Sequence, residues 1–269
     1  MSNISCIIAN YNNCKYLTKA IESALNQTLH INEIIIADDA STDSSRDLIS
    51  TLANKHPTIR PIFREHNIGV SANRDLAIRA AKNDLITTLD SDDWYHPNKI
   101  KNEFDLINTG NNDIAFSNIT LFYENIGKKL IQDLSTFPTC DNLTQIKWIA
   151  SRKGLIPRDM LLTKKAYIET GGFRHNLRIY EDWDFKIRLA NTSFTWGYTG
   201  KEGTFYRKTG VGLSAQTPKT HFLALLSVLN KNKDLLVKRI GLFGYINTIR
   251  KLSYLSARHY FSHIKSSRK

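Results

Sequence analysis

Three short acidic clusters are the residues of this sequence best suited to chemistry: Asp38-Asp39, Asp90-Ser91-Asp92-Asp93 and Glu181-Asp182-Trp183-Asp184. Carboxylate oxygens are the ligands that Mg²⁺ and Mn²⁺ prefer in proteins. A carboxylate also accepts hydrogen bonds from ribose or nucleobase groups, and it can remove a proton as a general base. Each cluster therefore has a functional interpretation beside a purely structural one.

The middle cluster predicts a metal site. It follows an apolar strand predicted over residues 85–89, and in an extended chain the alternating residues Asp90 and Asp92 point to one side. Three carboxylates within four residues repel one another unless a positive group lies among them. A divalent ion, completed by a substrate phosphate, is such a group. A solvated acidic turn is the alternative.

The two outer clusters predict a nucleotide contact and a base. Asp39 follows a buried strand predicted over residues 33–37, and ligands of open α/β sheets bind outside the carboxyl ends of the strands. Asp182 opens a predicted helix and is a candidate general base. The alternatives are a turn or helix cap for Asp39 and a favourable helix-dipole position for Asp182. Trp183 either stacks on an acceptor sugar or packs in the core.

Alternating strands and helices must position these clusters. Short apolar runs predict strands at 5–9, 33–37, 59–64 and 85–89, and helical spacing of apolar residues predicts helices at 17–25, 44–54, 72–80 and 97–108. This alternation predicts a mainly parallel sheet flanked by helices. Farther along, the pattern predicts strands at 113–117, 119–123, 194–198 and 204–207, a helix from 181, and helices after 215.

Five segments, taken in order, resemble the family 2 glycosyltransferases, which are inverting enzymes with the GT-A fold. These segments are SCIIANYN at 5–12, DDASTD at 38–43, NIGVSANRD at 67–75, LDSDD at 89–93, and GGF at 171–173 with EDWD at 181–184. The resemblance covers about residues 3–214. It implies a GT-A-type, Rossmann-like mixed sheet, mainly parallel and flanked by helices.

The resemblance also implies roles for individual residues. Tyr11 would stack on the nucleobase and Asp39 would hydrogen-bond to it. Asp92 would coordinate a divalent ion, Mn²⁺ or Mg²⁺, and Asp182 would be the catalytic base. The full implied set is Ala9, Tyr11, Asp39, Arg74, Asp90 and Ser91 for the donor, Asp90 and Asp92 for the metal, Asp182 for catalysis, and Glu181 and Trp183 on the acceptor side.

Two positions depart from the family pattern. Many members place a His near the metal where this chain has Thr209, so the third ligand is undefined, and Arg207 or Lys208 would bring positive charge to the diphosphate instead. Ala9-Asn10 replace residues that are usually Pro, Thr or Ser. The QxxRW motif of processive synthases is absent.

The resemblance therefore implies transfer of one sugar, from a nucleotide-diphosphate sugar such as a UDP-sugar, to a hydroxyl of a glycan or lipid-linked acceptor. Lipopolysaccharide, capsule and exopolysaccharide biosynthesis are the expected settings. A non-catalytic homologue that binds nucleotide sugars or glycans is the alternative function. Nucleic-acid binding through basic residues is a more distant one, and no nucleic acid is expected as a partner because no readout motif is recognised.

Positive charge is concentrated in the last part of the chain. Of the net charge of +12, residues 215–269 carry +10, and residues 1–214 are nearly neutral. The predicted organisation is a catalytic domain over 1–214, with a nucleotide-sugar-binding half at 1–110 and an acceptor-side half at 111–214, followed by a basic helical extension at 215–269.

The basic extension predicts association with an anionic membrane. Ile249, Leu252, Leu255 and Tyr260 share one helical face, and Arg250, Lys251 and Arg258 lie on another. Such a helix can lie on anionic lipid, and the alternative is that its apolar face packs on the catalytic domain.

Composition excludes several other classes of protein. The 3 cysteines are too few and too scattered for a disulfide framework or a zinc site, and they favour a reducing compartment. Neither a secretory signal nor a run of about 20 apolar residues is recognised. The expected location is therefore the cytoplasm, peripherally at the inner face of the cell membrane.

Overall fold

The computed structural model describes residues 3–209 and 216–266, with side chains as far as Tyr254. The strands are β1 (Ile4–Asn10), β2 (Glu33–Asp38), β3 (Ile59–Phe63), β4 (Leu85–Asp90), β5 (Trp94–Tyr95), β6 (Ile114–Tyr123), β7 (Lys128–Gln132), β8 (Leu161–Thr163) and β9 (Trp196–Lys208). The helices are α1 (Cys14–Leu25), α2 (Ser45–Lys55), α3 (Val70–Ala80), α4 (Lys99–Asn108), α5 (Asn142–Ala150), α6 (Lys164–Glu169), α7 (Glu181–Leu189), α8 (Pro218–Lys231) and α9 (Lys233–Ser266).

The described strands form one mixed sheet. Its order is β3-β2-β1-β4-β8-β6-β9-β5, and β7 pairs with β6. The first four strands in this order are parallel to one another, and β8 is antiparallel to both of its neighbours. β6 and β9 are parallel. The predicted fold class, a mainly parallel α/β sheet flanked by helices, is confirmed.

The central strands are buried because helices cover both faces of the sheet. Every residue of β1 and β2 is buried, and both strands are rich in isoleucine, which suits a strand packed on two sides. Alternate side chains enter different cores: Ile8 packs with Leu17 and Ile21 of α1, whereas Ile7 lies in the core that contains Ile78 of α3. This packing holds the carboxyl ends of the strands at a fixed edge.

Two pairs of predicted strands are each one continuous strand. The segments 113–117 and 119–123 belong to β6, and 194–198 and 204–207 belong to β9. Small or polar residues in the middle of β9, such as Gly200 and Glu202, interrupt the apolar pattern there. Glu202 pairs with Asn118 of β6, and Gly200 lies in the register shift just before it, which no local pattern encodes.

The C-terminal helices pack on the same core as α5 and α7. Six of their buried side chains belong to it: Leu225, Val228, Leu229, Leu236, Tyr245 and Leu252. Ile249 is partly buried against this core as well. The described part of the face predicted to lie on lipid therefore contacts the protein, as the packing alternative states. The side chains of Leu255, Arg258 and Tyr260 and the proposed boundary at 214–215 lie outside the described part of the chain.

Helix α9 is not one straight rod. Gly241 has φ of 74° and ψ of 162°, which interrupts the helical backbone between two helical stretches. Among the helices in the described residues, none combines the length and the apolar character that crossing a bilayer requires.

Candidate active site

A wide groove runs along the edge of the sheet where β1, β2 and β4 end. Parallel pairing places Asn10 beside Asp38 and Ala9 beside Asp90 at this edge. The groove encloses about 2490 Å³, whereas a pocket for one small ligand usually encloses about 300–1,000 Å³. There is therefore room for two substrates side by side.

The two aspartates of the first cluster have different surroundings. Asp38 is fully buried, and its carboxylate accepts hydrogen bonds from Asn10 Nδ2 at 2.8 Å and from Ser41 Oγ at 2.6 Å. Asp38 therefore fixes the turn. The Asp39 carboxylate lines the groove and accepts two backbone N–H groups of residues 68–69, both at 2.9 Å. Asp39 thus also anchors the loop that borders the groove.

The other predicted donor-binding residues line the same groove. Ala9 and Ser91 are buried in its wall, and Tyr11 stands at its rim with 51% of its surface exposed. Arg74 is buried as well. The structure therefore brings together the whole predicted donor set in one place.

Two buried polar atoms of groove residues lack a hydrogen-bond partner within residues 3–209 and 216–266. They are Asn10 Oδ1 and Arg74 Nε. An unpaired buried polar atom costs free energy, so such atoms are rare in folded proteins. Both residues border the groove. A polar ligand in the groove is a natural partner for them.

The second cluster gathers three carboxylates at the groove, of which Asp90 and Asp92 line it and Asp93 is buried behind them. One oxygen from each of Asp90, Asp92 and Asp93 lies within 4.8 Å of the others. This arrangement suits a hard divalent cation, as the sequence predicts. The three residues nevertheless differ in what already binds them.

Asp90 and Asp93 are occupied by positive or donating groups, and Asp92 is open. Arg74 donates to one Asp90 oxygen, and Arg158 donates to the other at 2.9 Å. Arg158 also donates to Asp93 at 2.9 Å, and the backbone N–H of Arg207 donates to the second Asp93 oxygen at 2.8 Å. Within the described part of the chain, no other residue donates a hydrogen bond to the Asp92 carboxylate.

The pKa values of the three carboxylates differ. Burial raises the pKa of Asp92, and the negative charge of Asp90 raises it further. Burial also raises the pKa of Asp93 well above its usual range, against the opposing charge of Arg158. For Asp90, burial alone would raise the pKa, but the charges of Arg74 and Arg158 hold it below its ordinary value. Asp92 thus combines a raised pKa with a carboxylate to which no other described residue donates, which leaves it open to an added cation.

The third cluster divides in the same way at the start of α7. Glu181 is buried and accepts a hydrogen bond from Arg74 Nη1 at 2.9 Å. Burial raises the pKa of Glu181 to about 7, although Arg74 opposes the shift. The Asp182 side chain is 48% exposed to the groove and accepts from Lys186 Nζ at 2.7 Å. Lys186, one helical turn away, holds the pKa of Asp182 well below its ordinary value despite partial burial.

Backbone strain lies directly beside two of the clusters. Ala40 has φ of 62° and Tyr180 has φ of 64°, and neither is a glycine. These residues adjoin Asp39 and Glu181. Left-handed backbone at a non-glycine residue costs about 1–3 kcal/mol and is concentrated at functional sites. The strain is therefore consistent with a site selected for geometry rather than for stability.

Trp183 occupies a core position. The residue is 3% exposed, and its indole Nε1 donates to the Ile149 carbonyl at 2.7 Å. It borders the groove while remaining buried. This placement favours the core interpretation over sugar stacking.

The segment that ends at Thr209 brings one basic residue, Lys208, to the groove and places Arg207 beside it. Arg207 packs against the ring of Tyr16 at 4.4 Å and donates to the backbone carbonyl of Asp92 at 2.9 Å. The Lys208 ammonium lies 4.1 Å from the Tyr206 ring centre, and burial lowers its pKa. Arg207 thus supports the backbone at Asp92, and Lys208 lines the groove.

Two functional candidates were not predicted from the sequence. Arg158 bridges two carboxylates of the middle cluster, and Lys186 pairs with Asp182. The four-residue spacing of Lys186 from Asp182 on a helix is a local signal that predicts this pair. Arg158 is more than sixty residues from its partners in sequence, so only the fold reveals it.

Comparison with known proteins identifies a family profile and several similar chains. The sequence profile described as glycosyl transferase family 2 matches residues 5–174. A cholesterol galactosyltransferase of Borreliella burgdorferi is 25% identical over 279 aligned positions, which cover 96% of this chain and 74% of that protein. An uncharacterised glycosyltransferase of Nostoc is 41% identical over 107 residues, or 39% of this chain and 33% of the relative.

A third relative is WfaP of Escherichia coli, a UDP-Glc:alpha-D-GlcNAc-diphosphoundecaprenol beta-1,3-glucosyltransferase. It is 37% identical over 118 residues, which cover 44% of this chain and 46% of WfaP. The chain therefore spans less than half the length of the Nostoc and E. coli relatives that it matches.

Solved structures establish the fold. The crystal structure of S. aureus TarS aligns with a TM-score of 0.66 at 19% identity, covering 85% of this chain and 64% of that chain. Its complex with UDP-GlcNAc aligns with a TM-score of 0.68 at 20% identity, covering 85% and 66%. At these identities the likeness speaks for the fold alone. The chain has a GT-A-type fold, and with the profile match over residues 5–174 it belongs to glycosyl transferase family 2.

Proposed function

We propose that this protein is an inverting glycosyltransferase that moves one sugar from a nucleotide-diphosphate sugar, a UDP-sugar, to a hydroxyl of a glycan or lipid-linked acceptor. One observation carries the proposal. The open Asp92 carboxylate and the half-exposed Asp182 carboxylate line the same groove, among residues matching the family's donor-binding motifs. The Asp92 carboxylate is suited to bind a cation, and the Asp182 carboxylate is suited to accept a proton.

The residues of the acidic cluster fit a divalent ion, Mn²⁺ or Mg²⁺. Their oxygen atoms are hard ligands, and Asp92 has no other donor within the described residues. Asp92 and Asp90 would hold the ion, as the sequence predicts. When bound, it would offset negative charge that develops on the diphosphate leaving group.

Asp182 is the proposed base. Its carboxylate would accept the proton of the acceptor hydroxyl as that oxygen attacks the anomeric carbon, on the side opposite the leaving diphosphate. A single displacement of this kind inverts the configuration. Lys186 keeps Asp182 ionised, so that it is ready to accept a proton at neutral pH. Glu181 stays buried, where it holds Arg74 in place.

The buried arginine Arg74 links the two halves of the site. One of its nitrogen atoms donates to Asp90 and another donates to Glu181. Its Nε faces no partner within residues 3–209 and 216–266. This geometry supports the predicted role of Arg74 beside the donor, with the nucleotide bound in the 1–110 half and the acceptor in the 111–214 half.

The relatives support the class of substrates. The WfaP name specifies UDP-Glc and a diphosphoundecaprenol-linked acceptor, the Borreliella relative is a cholesterol galactosyltransferase, and the TarS complex contains UDP-GlcNAc. We infer a lipid-linked or glycan acceptor in the synthesis of lipopolysaccharide, capsule or another surface polysaccharide.

Lipid-linked acceptors would bring the enzyme to an anionic membrane through residues 215–269. Because Leu252 is buried, a different face of α9 would meet the lipid. Leu242 and Phe243 are 58% and 74% exposed beside the break at Gly241. Exposed Lys238, Arg239, Arg250 and Lys251 lie on the same helix. Exposed apolar residues flanked by cations are the features of an interfacial helix.

The enzymatic proposal is tested by incubating the purified protein with a panel of radiolabelled nucleotide sugars and lipid-linked or glycan acceptors, with Mn²⁺, Mg²⁺ or EDTA. We expect transfer from a UDP-sugar that requires the metal, with inverted product. Asp92→Asn should lose the metal-dependent activity. Arg60→Met, at the opposite end of the sheet, is the matched control and should keep it. Donor binding without turnover across all acceptors would favour a non-catalytic homologue.

Membrane association is tested separately by liposome flotation. The wild type should float with vesicles containing phosphatidylglycerol and not with pure phosphatidylcholine. Phe243→Ser should lose most of this binding, whereas Leu223→Ser, which changes another exposed apolar residue, should keep it. Salt-sensitive RNA binding without affinity for anionic vesicles would contradict the membrane proposal and favour the nucleic-acid alternative.

A further inference from the structure

An arginine lies inside the acidic cluster. Arg158 Nη2 donates hydrogen bonds to Asp90 Oδ2 and Asp93 Oδ2, both at 2.9 Å. The Arg158 side chain is 19% exposed, so solvent screens these contacts only weakly. Arg158 therefore supplies the positive charge that three neighbouring carboxylates require.

We propose that Arg158 is a built-in counter-cation that competes with the divalent ion for the acidic cluster and so sets the metal affinity of the site. The inference rests on the proposed function, because it takes Asp90, Asp92 and Asp93 as the metal-binding cluster. It assigns to Arg158 a positioning role that acts through these carboxylates. It does not require Arg158 to touch the substrate.

The hydrogen bonds of Asp90 set up this competition. One Asp90 oxygen is bound by Arg74 and the other by Arg158. A carboxylate oxygen can accept a hydrogen bond and bind a metal ion at the same time, but a divalent ion near Asp92 would then share each Asp90 oxygen with a guanidinium charge. The Arg74 side chain is 9% exposed, whereas the Arg158 side chain is 19% exposed. Arg158 is therefore the arginine with more room to shift.

Contacts on the far side of Arg158 would let its end turn without releasing the whole side chain. Its Nε donates to Asp159 Oδ2 at 2.8 Å, and its guanidinium carbon lies 4.1 Å from the centre of the Tyr206 ring. Neither contact involves the acidic cluster. Asp159 itself has a left-handed backbone, with φ of 50°. The guanidinium is thus held at the groove while Nη2 leaves the carboxylates.

Removing Arg158 should tighten metal binding. Without its charge, only Arg74 offsets the mutual repulsion of the three carboxylates, and a divalent ion meets one cation fewer. We expect Arg158→Met to bind Mn²⁺ about tenfold more tightly than the wild type, which corresponds to about 1.4 kcal/mol. Arg158→Lys keeps the charge but cannot bridge two carboxylates with one planar fork, so its affinity should fall between the two.

The experiment measures free Mn²⁺ by electron paramagnetic resonance during titration of the full-length protein without nucleotide. Circular dichroism of each variant checks folding. Arg158→Lys is a second, conservative variant, in which the positive charge is kept. Arg60→Met is the matched control, because it also removes an arginine from an ion pair, with Glu33 at 2.7 Å, at the opposite end of the sheet. Its Mn²⁺ affinity should equal that of the wild type. Asp92→Asn should lose the binding.

The outcomes separate this inference from the proposed function. The inference is supported if Mn²⁺ affinity is lowest in the wild type, higher in Arg158→Lys and highest in Arg158→Met. Equal or weaker binding by a folded Arg158→Met, with binding still lost in Asp92→Asn, overturns the role of Arg158 and leaves the metal site intact. Absence of Mn²⁺ binding in wild type and Arg158→Met alike, up to several millimolar, overturns both.

Discussion

The protein contains two clusters of charged side chains that differ in how completely their charges are paired. In the first, the closed pair, Lys99 and Glu103 of α4 are each 1% exposed and meet at 2.6 Å. Ser117 Oγ and the backbone N–H of Leu161 also donate to Glu103. The second, the open cluster, consists of Asp90, Asp92 and Asp182, which line the groove, and of Asp93, which is buried beside them.

The difference lies in what is left unsatisfied. Every oxygen of Glu103 has a donor from the protein, so the closed pair links α4 to β6 and β8 and has nothing to offer a ligand. In the open cluster, no other described residue donates to the Asp92 carboxylate, and Asp182 is half exposed. A buried charge that is fully paired supports the fold, and one that is incompletely paired awaits a partner.

Breaking the closed pair should have the largest effect on stability. Lys99→Met leaves the Glu103 carboxylate buried without its cation, which should lower the free energy of unfolding by about 3–5 kcal/mol. Urea denaturation measures the change. The double variant Lys99→Met with Glu103→Leu removes both charges and should recover most of the loss. If Lys99→Met alone is as stable as the wild type, the closed pair does not support the fold in the way described.

Removing the base should affect activity far more than stability, although Lys186 loses its counter-ion. Asp182→Asn has the same shape but cannot accept the acceptor proton, so the transfer rate should fall about 10²- to 10⁴-fold. The rate is measured at saturating donor, and thermal unfolding is followed in parallel. Glu103→Gln serves as the contrasting variant, because it should lower stability with little effect on the rate of the folded enzyme. A fully active Asp182→Asn would remove Asp182 from the mechanism.

Neutralising Asp92 should stabilise the metal-free protein. Burial and the Asp90 charge raise the Asp92 pKa, so the folded state resists its ionisation. Between the ordinary pKa of 3.8 and the raised one, the unfolded chain has lost a proton that the folded chain keeps, and stability therefore falls as pH rises.

Asp92→Asn should consequently melt about 2–4 °C above the wild type at about pH 8 in EDTA, with a smaller difference at about pH 4. Differential scanning calorimetry measures both. A variant less stable than the wild type at the higher pH would mean that Asp92 supports the fold rather than the site.

The smallest expected effect concerns the pH dependence of the rate. Lys186 lowers the pKa of Asp182, so Lys186→Met should raise that pKa and move the acid limb of the kcat/KM profile to higher pH. At about pH 5 the variant should lose several-fold more activity than at about pH 8. Lys165→Met, which removes an exposed helical lysine spaced four residues from Glu169, is the control and should leave the profile in place. If the acid limb of Lys186→Met does not shift, then that limb does not reflect the ionisation of Asp182.

Much of the fold was predictable because its signals are local. The buried runs of β1 and β2 and the helical spacing of Leu17 and Ile21 in α1 reflect side chains that face a core directly. Longer-range pairing was not predictable. β6 and β9 each appeared as two strands, because the residues that interrupt their apolar pattern are supported by a neighbouring strand far away in sequence.

The candidate site divides along the same line. The sequence by itself determined where the acidic clusters lie, because each follows the end of a strand or opens a helix, and it indicated the family through their order. Only the tertiary structure decided which carboxylates are free. Asp38, Asp39, Asp90 and Asp92 look alike in sequence, yet their surroundings differ because partners such as Arg158 arrive from distant segments.

The tail shows the same limit. Its charge and helical character are properties of composition and local periodicity, which the sequence contains in full. Which face of the helix is covered depends on the surface against which it packs. Here Leu252 is buried in the core and Phe243 is exposed. Residue type and spacing thus determine which interactions each segment can make. Tertiary packing decides which of these interactions remain available to a ligand or a membrane, because burial and pairing are set by contacts between distant parts of the chain.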